Sequence, residues 1–154
     1  MKITLCLSRK ENIDYYKSST VTIDIEEYLR GVIPAEIGNA SIEACRAQAV
    51  ASRTFALIKH KKGSKITDKS SSDQAFRISK ATSTYSNALQ AIEDTKGQVL
   101  YYNNQLITTC SYSNSNGGRI KSSKEVWGGE RAWLVSKPDP YDHGPGNGHG
   151  VGMS

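Results

Sequence analysis

Two short stretches near the start of the chain, residues 3–7 and 20–25, carry β-branched side chains with partial apolar–polar alternation. A period of two predicts strands. Between them, Ser8 to Ser19 is polar and predicts turns. From Asp24 the period lengthens. Ile25, Leu29 and Val32 fall on one helical face, with Asp24 as the candidate N-cap and Gly31 near the end. Pro34 lacks an N–H and predicts a break or the start of a new turn there, with Gly38 and Asn39 as turn residues just after. Ser41 then predicts the cap of the longest helix, Ile42 to about His60. Alanines give that stretch high propensity, and small or apolar residues surround most of it. Such a helix is expected to be buried on more than one side. Gly63 ends it. Residues 64–83 are rich in Ser, Thr and Lys and predict turns. Thr84 predicts a second cap, followed by Tyr85, Ala88, Leu89 and Ile92 at helical spacing, with Gly97 as the stop. Gln98 to Tyr102 and Gln105 to Tyr112 predict a hairpin around Asn103 and Asn104, a pair that tolerates positive φ. Beyond Ser113 the pattern is loop-like, with five glycines between Gly144 and Gly152. The order predicts an α+β fold: one compact domain over 1–154, with a central buried helix, a second helix, a hairpin and a Gly-rich C-terminal loop.

Composition narrows the classes. A chain of 154 residues suits one core. No apolar run is long enough to span a bilayer. Ile3 to Leu7 is too short for a secretory h-region, so no signal peptide is expected in this chain. The net charge of +5 suits an anionic partner. Lys59, His60, Lys61, Lys62, Lys65 and Lys69 cluster, yet no RNA-recognition motif, KH loop or zinc finger accompanies them. They read as a solvated helix end, and no nucleic-acid partner is expected. Three cysteines, Cys6, Cys45 and Cys110, give no disulfide framework and no CxxC. His143 and His149 alone are too few for a metal centre. Neither metal nor cofactor is expected.

The residue strings carry more than the periodicity. Tyr28-Leu29-Arg30-Gly31-Val32-Ile33-Pro34-Ala35-Glu36-Ile37 is followed by a run from Glu43 to Leu57 containing Ala47-Gln48-Ala49-Val50-Ala51-Ser52-Arg53-Thr54. Later come Ser113-Asn114-Ser115-Asn116-Gly117-Gly118, then Glu125-Val126-Trp127-Gly128-Gly129. Pro138-Asp139-Pro140-Tyr141-Asp142 and Gly148-His149-Gly150-Val151-Gly152-Met153-Ser154 close the series. In this order the strings resemble the signatures of the SpoIID/LytB family, from about residue 20 onward. Only His143 to Asn147 separate the last two strings, a shorter spacer than is usual in that family.

The resemblance implies a lytic transglycosylase acting on peptidoglycan glycan strands, preferably those already stripped of stem peptides by a cell-wall amidase. The product end would be 1,6-anhydro-N-acetylmuramic acid, and the location the cell wall or cell surface. It also implies Glu36 as the catalytic acid/base. Apolar neighbours Pro34, Ala35 and Ile37 suit a carboxyl that must stay protonated near neutral pH. One carboxyl suffices, because the sugar's own C6 hydroxyl attacks C1. Gln48, Arg53, Ser113, Ser115, Asn116, Trp127 and His149 are candidate substrate contacts. For Arg53 a core role paired with a carboxylate is an equal alternative, and for Trp127 burial in a core is the commoner fate. Glu43, in a first helical turn, reads as structural. Some family members hold zinc near the GG loop. Asn116, Arg119 and Ile120 stand there in this chain, and no metal is expected. The competing reading is a non-catalytic wall-binding module that enhances an amidase.

Overall fold

The computed structural model describes residues Met1–Ser154. The chain is α+β and divides into two compact units, Met1–Thr108 and Thr109–Ser154.

In the first unit, β1 (Lys2–Cys6) is the middle strand of a three-stranded sheet. It pairs antiparallel with β2 (Thr20–Asp24), in the register Lys2↔Asp24 to Cys6↔Thr20. It pairs in parallel with β3 (Ile66–Thr67). Ile3, Leu5, Leu7 and Ile23 alternate onto one buried face. Over that core pack α2 (Ile25–Ile37), α3 (Ile42–Lys61) and α4 (Ser86–Asp94). Asp24 caps α2 by accepting from the Glu26 N–H, and Ser41 caps α3 by accepting from Ala44. Along α3 the buried positions include Cys45, Gln48, Ala49, Ser52, Arg53 and Ala56, so the helix is enclosed on several sides. The hairpin of β4 (Tyr101–Tyr102) and β5 (Gln105–Leu106) turns on Asn103 and Asn104, at φ 48° and 61°. Its strands are shorter than the alternation predicted.

Three expectations fail locally. The polar stretch after β1 forms a helix, α1 (Lys10–Tyr16). Two turns need only a narrow inward face, here Asn12 with Ile13 and Tyr16. Its N-terminus is held from far along the chain: buried Asp68 accepts from the Ser8 and Arg9 N–H groups. Pro34 does not break α2, which runs on to Ile37. Burial of Val32, Ile33 and Pro34 itself offsets the one backbone hydrogen bond lost. The turn comes at Gly38, as its residue type predicts, at φ 64° and with its N–H donating to Pro34 O. Thr84 does not cap α4. It lies in a 3-10 turn, Ser83–Tyr85, that leads into the helix.

The second unit contains β6 (Arg119–Ile120), paired antiparallel with β7 (Lys137–Pro138), and a short helix α5 (Ser123–Trp127). A capping box between Ser122 and Glu125 starts α5, where the sequence reading expected loop. The rest is loop stitched by single bridges, Tyr112↔Met153, Ser115↔Asn147 and Lys121↔Val151.

Candidate functional site

Glu36 sits in the last turn of α2, half-buried. Its Oε1 accepts a 2.6 Å hydrogen bond from the Ala75 backbone N–H. Burial pushes its carboxyl above the usual range, and the Ala75 N–H pulls part of the way back. The net direction is upward, which favours a proton-bearing carboxyl.

Ala75 belongs to a strap, residues 73–78, anchored at every position. Asp73 accepts from the Thr67 N–H at 2.8 Å and pairs with Lys59 at 2.6 Å. Gln74 is buried and donates to Ser52 Oγ at 2.7 Å. The Phe76 ring lies against Gly31, so closely that a Cβ there would meet ring carbons at 2.5 and 2.7 Å. The Arg77 N–H donates to Gly31 O at 3.0 Å. Asn12 donates to Phe76 O and accepts from the Ile78 N–H. Gly31 in α2 therefore makes room for the strap one and a half turns before Glu36.

Of the other candidates in this unit, Gln48 is buried on α3 and donates to Ser52 Oγ at 3.1 Å. Arg53 is 2% exposed. Its Nε and Nη2 make a two-point pair with the Glu26 carboxylate at 2.9 and 2.7 Å. Nη1 and Nη2 also reach the carbonyls of Gln98 and Ile92. These contacts occupy the guanidinium fork and match the core role, paired with a carboxylate, that the sequence offers as one alternative for Arg53. Ser52, Gln74 and Ala75 had no local signal in the sequence. They reach the site through long-range packing.

Ser113, Ser115, Asn116, Trp127 and His149 all lie in the second unit. Ser115 and Asn116 are buried and committed to carboxylates. Ser115 Oγ donates to Asp142 Oδ1 at 2.9 Å, and the Asn116 N–H to Asp142 Oδ2 at 2.6 Å. Asn116 Nδ2 donates to Asp139 Oδ2 at 2.7 Å. The Asn116 side chain holds Asp139 below the ordinary carboxylate range. The N–H groups of Asn116 and Gly144 do the same for Asp142. Ser115 and Asn116 thus shape the loop, with Asp139 and Asp142 of the Pro138 to Asp142 string as their partners. Ser113 Oγ is buried and has no hydrogen-bond partner.

Trp127 is 52% exposed and not a core residue. Its ring tilts against the His149 imidazole, with centroids 5.1 Å apart. His149 Nδ1 accepts from the Val151 N–H at 3.0 Å, which leaves the proton on Nε2. Burial lowers the pKa of this imidazole, outweighing the Tyr112 backbone contact, so the neutral ring is favoured. An exposed indole backed by a fixed neutral ring suits stacking on a sugar face. No group of three or more His, Cys, Asp or Glu side chains is arranged to hold a metal ion. No helix is long and apolar enough to cross a membrane.

With this geometry in hand, the chain can be set beside known proteins. The SpoIID family model, stage II sporulation protein, matches residues 15–102. A Bacillus subtilis (strain 168) protein named Amidase enhancer is 43% identical over 115 residues, which is 74% of this chain and 15% of that protein. The Stage II sporulation protein D of the same organism is 31% identical over 145 residues, 80% of this chain and 41% of the relative. Its namesake from Bacillus amyloliquefaciens is 28% identical over 155 residues, 85% and 44%. The chain spans less than half the length of each of these relatives.

Proposed function

Because the chain belongs to the SpoIID family, we propose that it acts on the bacterial cell wall, as a lytic transglycosylase on the glycan strands of peptidoglycan. The observation that carries this reading is Glu36: a half-buried carboxyl, biased toward its protonated form, with one oxygen held by a backbone N–H. That is what an acid in glycosidic cleavage requires.

The step balances with one carboxyl. Glu36 gives its proton to the glycosidic oxygen, and the bond from that oxygen to C1 of N-acetylmuramic acid breaks. The C6 hydroxyl oxygen of the same sugar bonds to C1. Its proton returns to the Glu36 carboxylate, so no water is consumed. The Ala75 N–H faces the negative charge that develops on Glu36 between the two transfers. Exposed Trp127 supports a stacking contact with glycan. The substrate lies outside the cytoplasm. A strand stripped by a cell-wall amidase is the favoured form.

The second reading is a wall-binding module that enhances an amidase without cutting glycan. The 43% identity to a protein named Amidase enhancer favours it. Glu36→Gln separates the two. Peptidoglycan, intact and peptide-stripped, is incubated with each form, and the soluble products are weighed by mass spectrometry. Under the enzyme reading, anhydro-muramic ends form with the native protein. They fall by about 10²–10⁴-fold with the variant, while glycan binding persists. Absence of product from both forms, with binding intact, would leave the enhancer reading standing.

A further inference from the structure

Behind Glu36 lies a line of buried polar groups for which the cleavage step has no direct use. On α3, one turn apart, Gln48 and Ser52 face inward, and both are at most 1% exposed. Gln48 Nε2 donates to Ser52 Oγ, and Gln74 Nε2 donates to the same oxygen at 2.7 Å. The Gln74 amide oxygen accepts from the Tyr28 hydroxyl of α2 at 3.2 Å. Both ends of the Gln74 amide are therefore gripped, one by α3 and one by α2. A buried polar line of this kind costs stability unless every member is paired, and an all-apolar packing would do the structural work as well. What it fixes is the next residue, Ala75, whose N–H meets Glu36 Oε1 at 2.6 Å.

We infer that Ser52 and Gln74 are positioning residues for Glu36: they hold the Ala75 N–H on Oε1, which leaves Oε2 as the oxygen that carries and delivers the proton. The chemistry follows from the donor. An oxygen already facing an N–H acts as the acceptor of the carboxylic acid, so the acid's own hydrogen resides on the other oxygen. After the proton leaves, the same N–H stabilises the carboxylate. The ladder thus sets both the direction of proton delivery and the balance between burial and hydrogen bonding at the acid. The delivery part rests on the cleavage reading above. The positioning part does not.

The test is an NMR titration of ¹³C,¹⁵N-labelled protein, following the Glu36 carboxyl carbon and the Ala75 amide proton, with Glu36→Gln for assignment. In the native protein the two signals titrate together. In Gln74→Met and in Ser52→Ala, the Glu36 midpoint moves to higher pH and the Ala75 amide stops following it. Cleavage of stripped glycan falls about 10- to 100-fold, the cost of a misplaced reacting group. The alkaline limb of its pH profile moves to higher pH in step. Should one variant not fold, the other and the native Ala75 amide still decide. An Ala75 amide that ignores Glu36 ionisation in the native protein overturns the inference. So do variants that melt earlier yet leave the Glu36 titration and the pH profile in place. If the titration moves but no form of the protein releases product, the positioning stands and the cleavage reading is what fails.

Discussion

The unit that holds Glu36 and the unit that holds His149 are built on different physical terms. In Met1–Thr108 an apolar core runs from Ile3 and Leu5 through Tyr28, Leu29 and Val32 to Ala88 and Ile92. In Thr109–Ser154 the buried apolar side chains reduce to Leu134 and Val151. Order there comes from two carboxylates. Asp142 gathers Ser115, Asn116 and Gly144, and Asp139 gathers Asn116 and the Tyr141 N–H. The first design places a carboxyl where ionisation is disfavoured. The second needs its carboxylates ionised. A core can shelter an acid, whereas a glycine-rich loop must be tied by charge.

The largest expected effect is on the core. Ala49 on α3 is completely buried, and Ala49→Asp should destabilise the first unit by about 3–5 kcal/mol, the cost of an unpaired buried charge. Thermal or denaturant unfolding followed by far-UV circular dichroism measures it. A shift below about 1 kcal/mol would mean that α3 is not enclosed as described.

Gly31→Ala comes next. Alanine favours a helix over glycine by about 1 kcal/mol, but its Cβ would stand 2.5 Å from the buried Phe76 ring. Overpacking of that kind costs about 1–3 kcal/mol, so the net change should be destabilising by about 1 kcal/mol. The strap should move with Phe76. Activity lost beyond what stability explains would locate the damage at Ala75 and Glu36. A gain in melting temperature would show that the ring has room to retreat.

The two units should also answer pH with opposite signs. The folded pKa of Glu36 is raised, so its contribution to stability is complete at low pH and lost as pH rises through that value. Glu36→Gln removes the loss and keeps an acceptor for Ala75. It should raise the melting temperature at neutral pH and change it least in acid. The folded pKa values of Asp139 and Asp142 are lowered, so what they contribute is present at neutral pH and lost as pH falls through those values. Amide exchange at Asn116 and Gly144 should accelerate in that acid range beyond its intrinsic pH dependence, and Asp142→Asn should produce the same acceleration at neutral pH. Asp68 belongs with the second pattern although it lies in the first unit. Burial raises it, but the hydrogen bonds from Ser8, Arg9 and Asn12 together outweigh that and hold it low. Among the buried carboxyls of that unit, the contrast between Asp68 and Glu36 marks the one suited to hold a proton.

What the sequence made legible follows the range of the interactions involved. Asp24 and Ser41 as caps, the α3 stretch and the Asn103-Asn104 turn depend on neighbours within one or two turns, and all are present. α1 was not legible, because the group that satisfies its N-terminus is Asp68, more than fifty residues away. The passage of α2 through Pro34 depends on what buries Ile33 and Pro34, which no local pattern records. The same holds at the site. Glu36 was legible from its string, but its partner Ala75 lies in a Ser- and Lys-rich stretch whose composition predicts turns, and the hydrogen bond from Gln48 to Ser52 has no local signature. The Ser122–Glu125 box was a local signal for α5 that the loop-like composition masked.

The smallest effect on stability should come from Trp127, and it sharpens the comparison from the loop side. Its ring is half exposed and rests only partly on His149. Trp127→Ala should therefore change the unfolding free energy by no more than about 0.5 kcal/mol, as surface substitutions usually do. Binding to denuded glycan should weaken by about 1–2 kcal/mol, the order of a lost aromatic contact with its buried area. Trp127→Phe keeps a ring and should recover part of that. Isothermal titration with glycan oligomers separates the outcomes. If both variants bind as the native protein does, the exposed indole is not a sugar platform, and the loop unit contributes shape without contact. If affinity falls while stability holds, the unit with the thin core carries recognition on its surface, and the unit with the thick core keeps the acid.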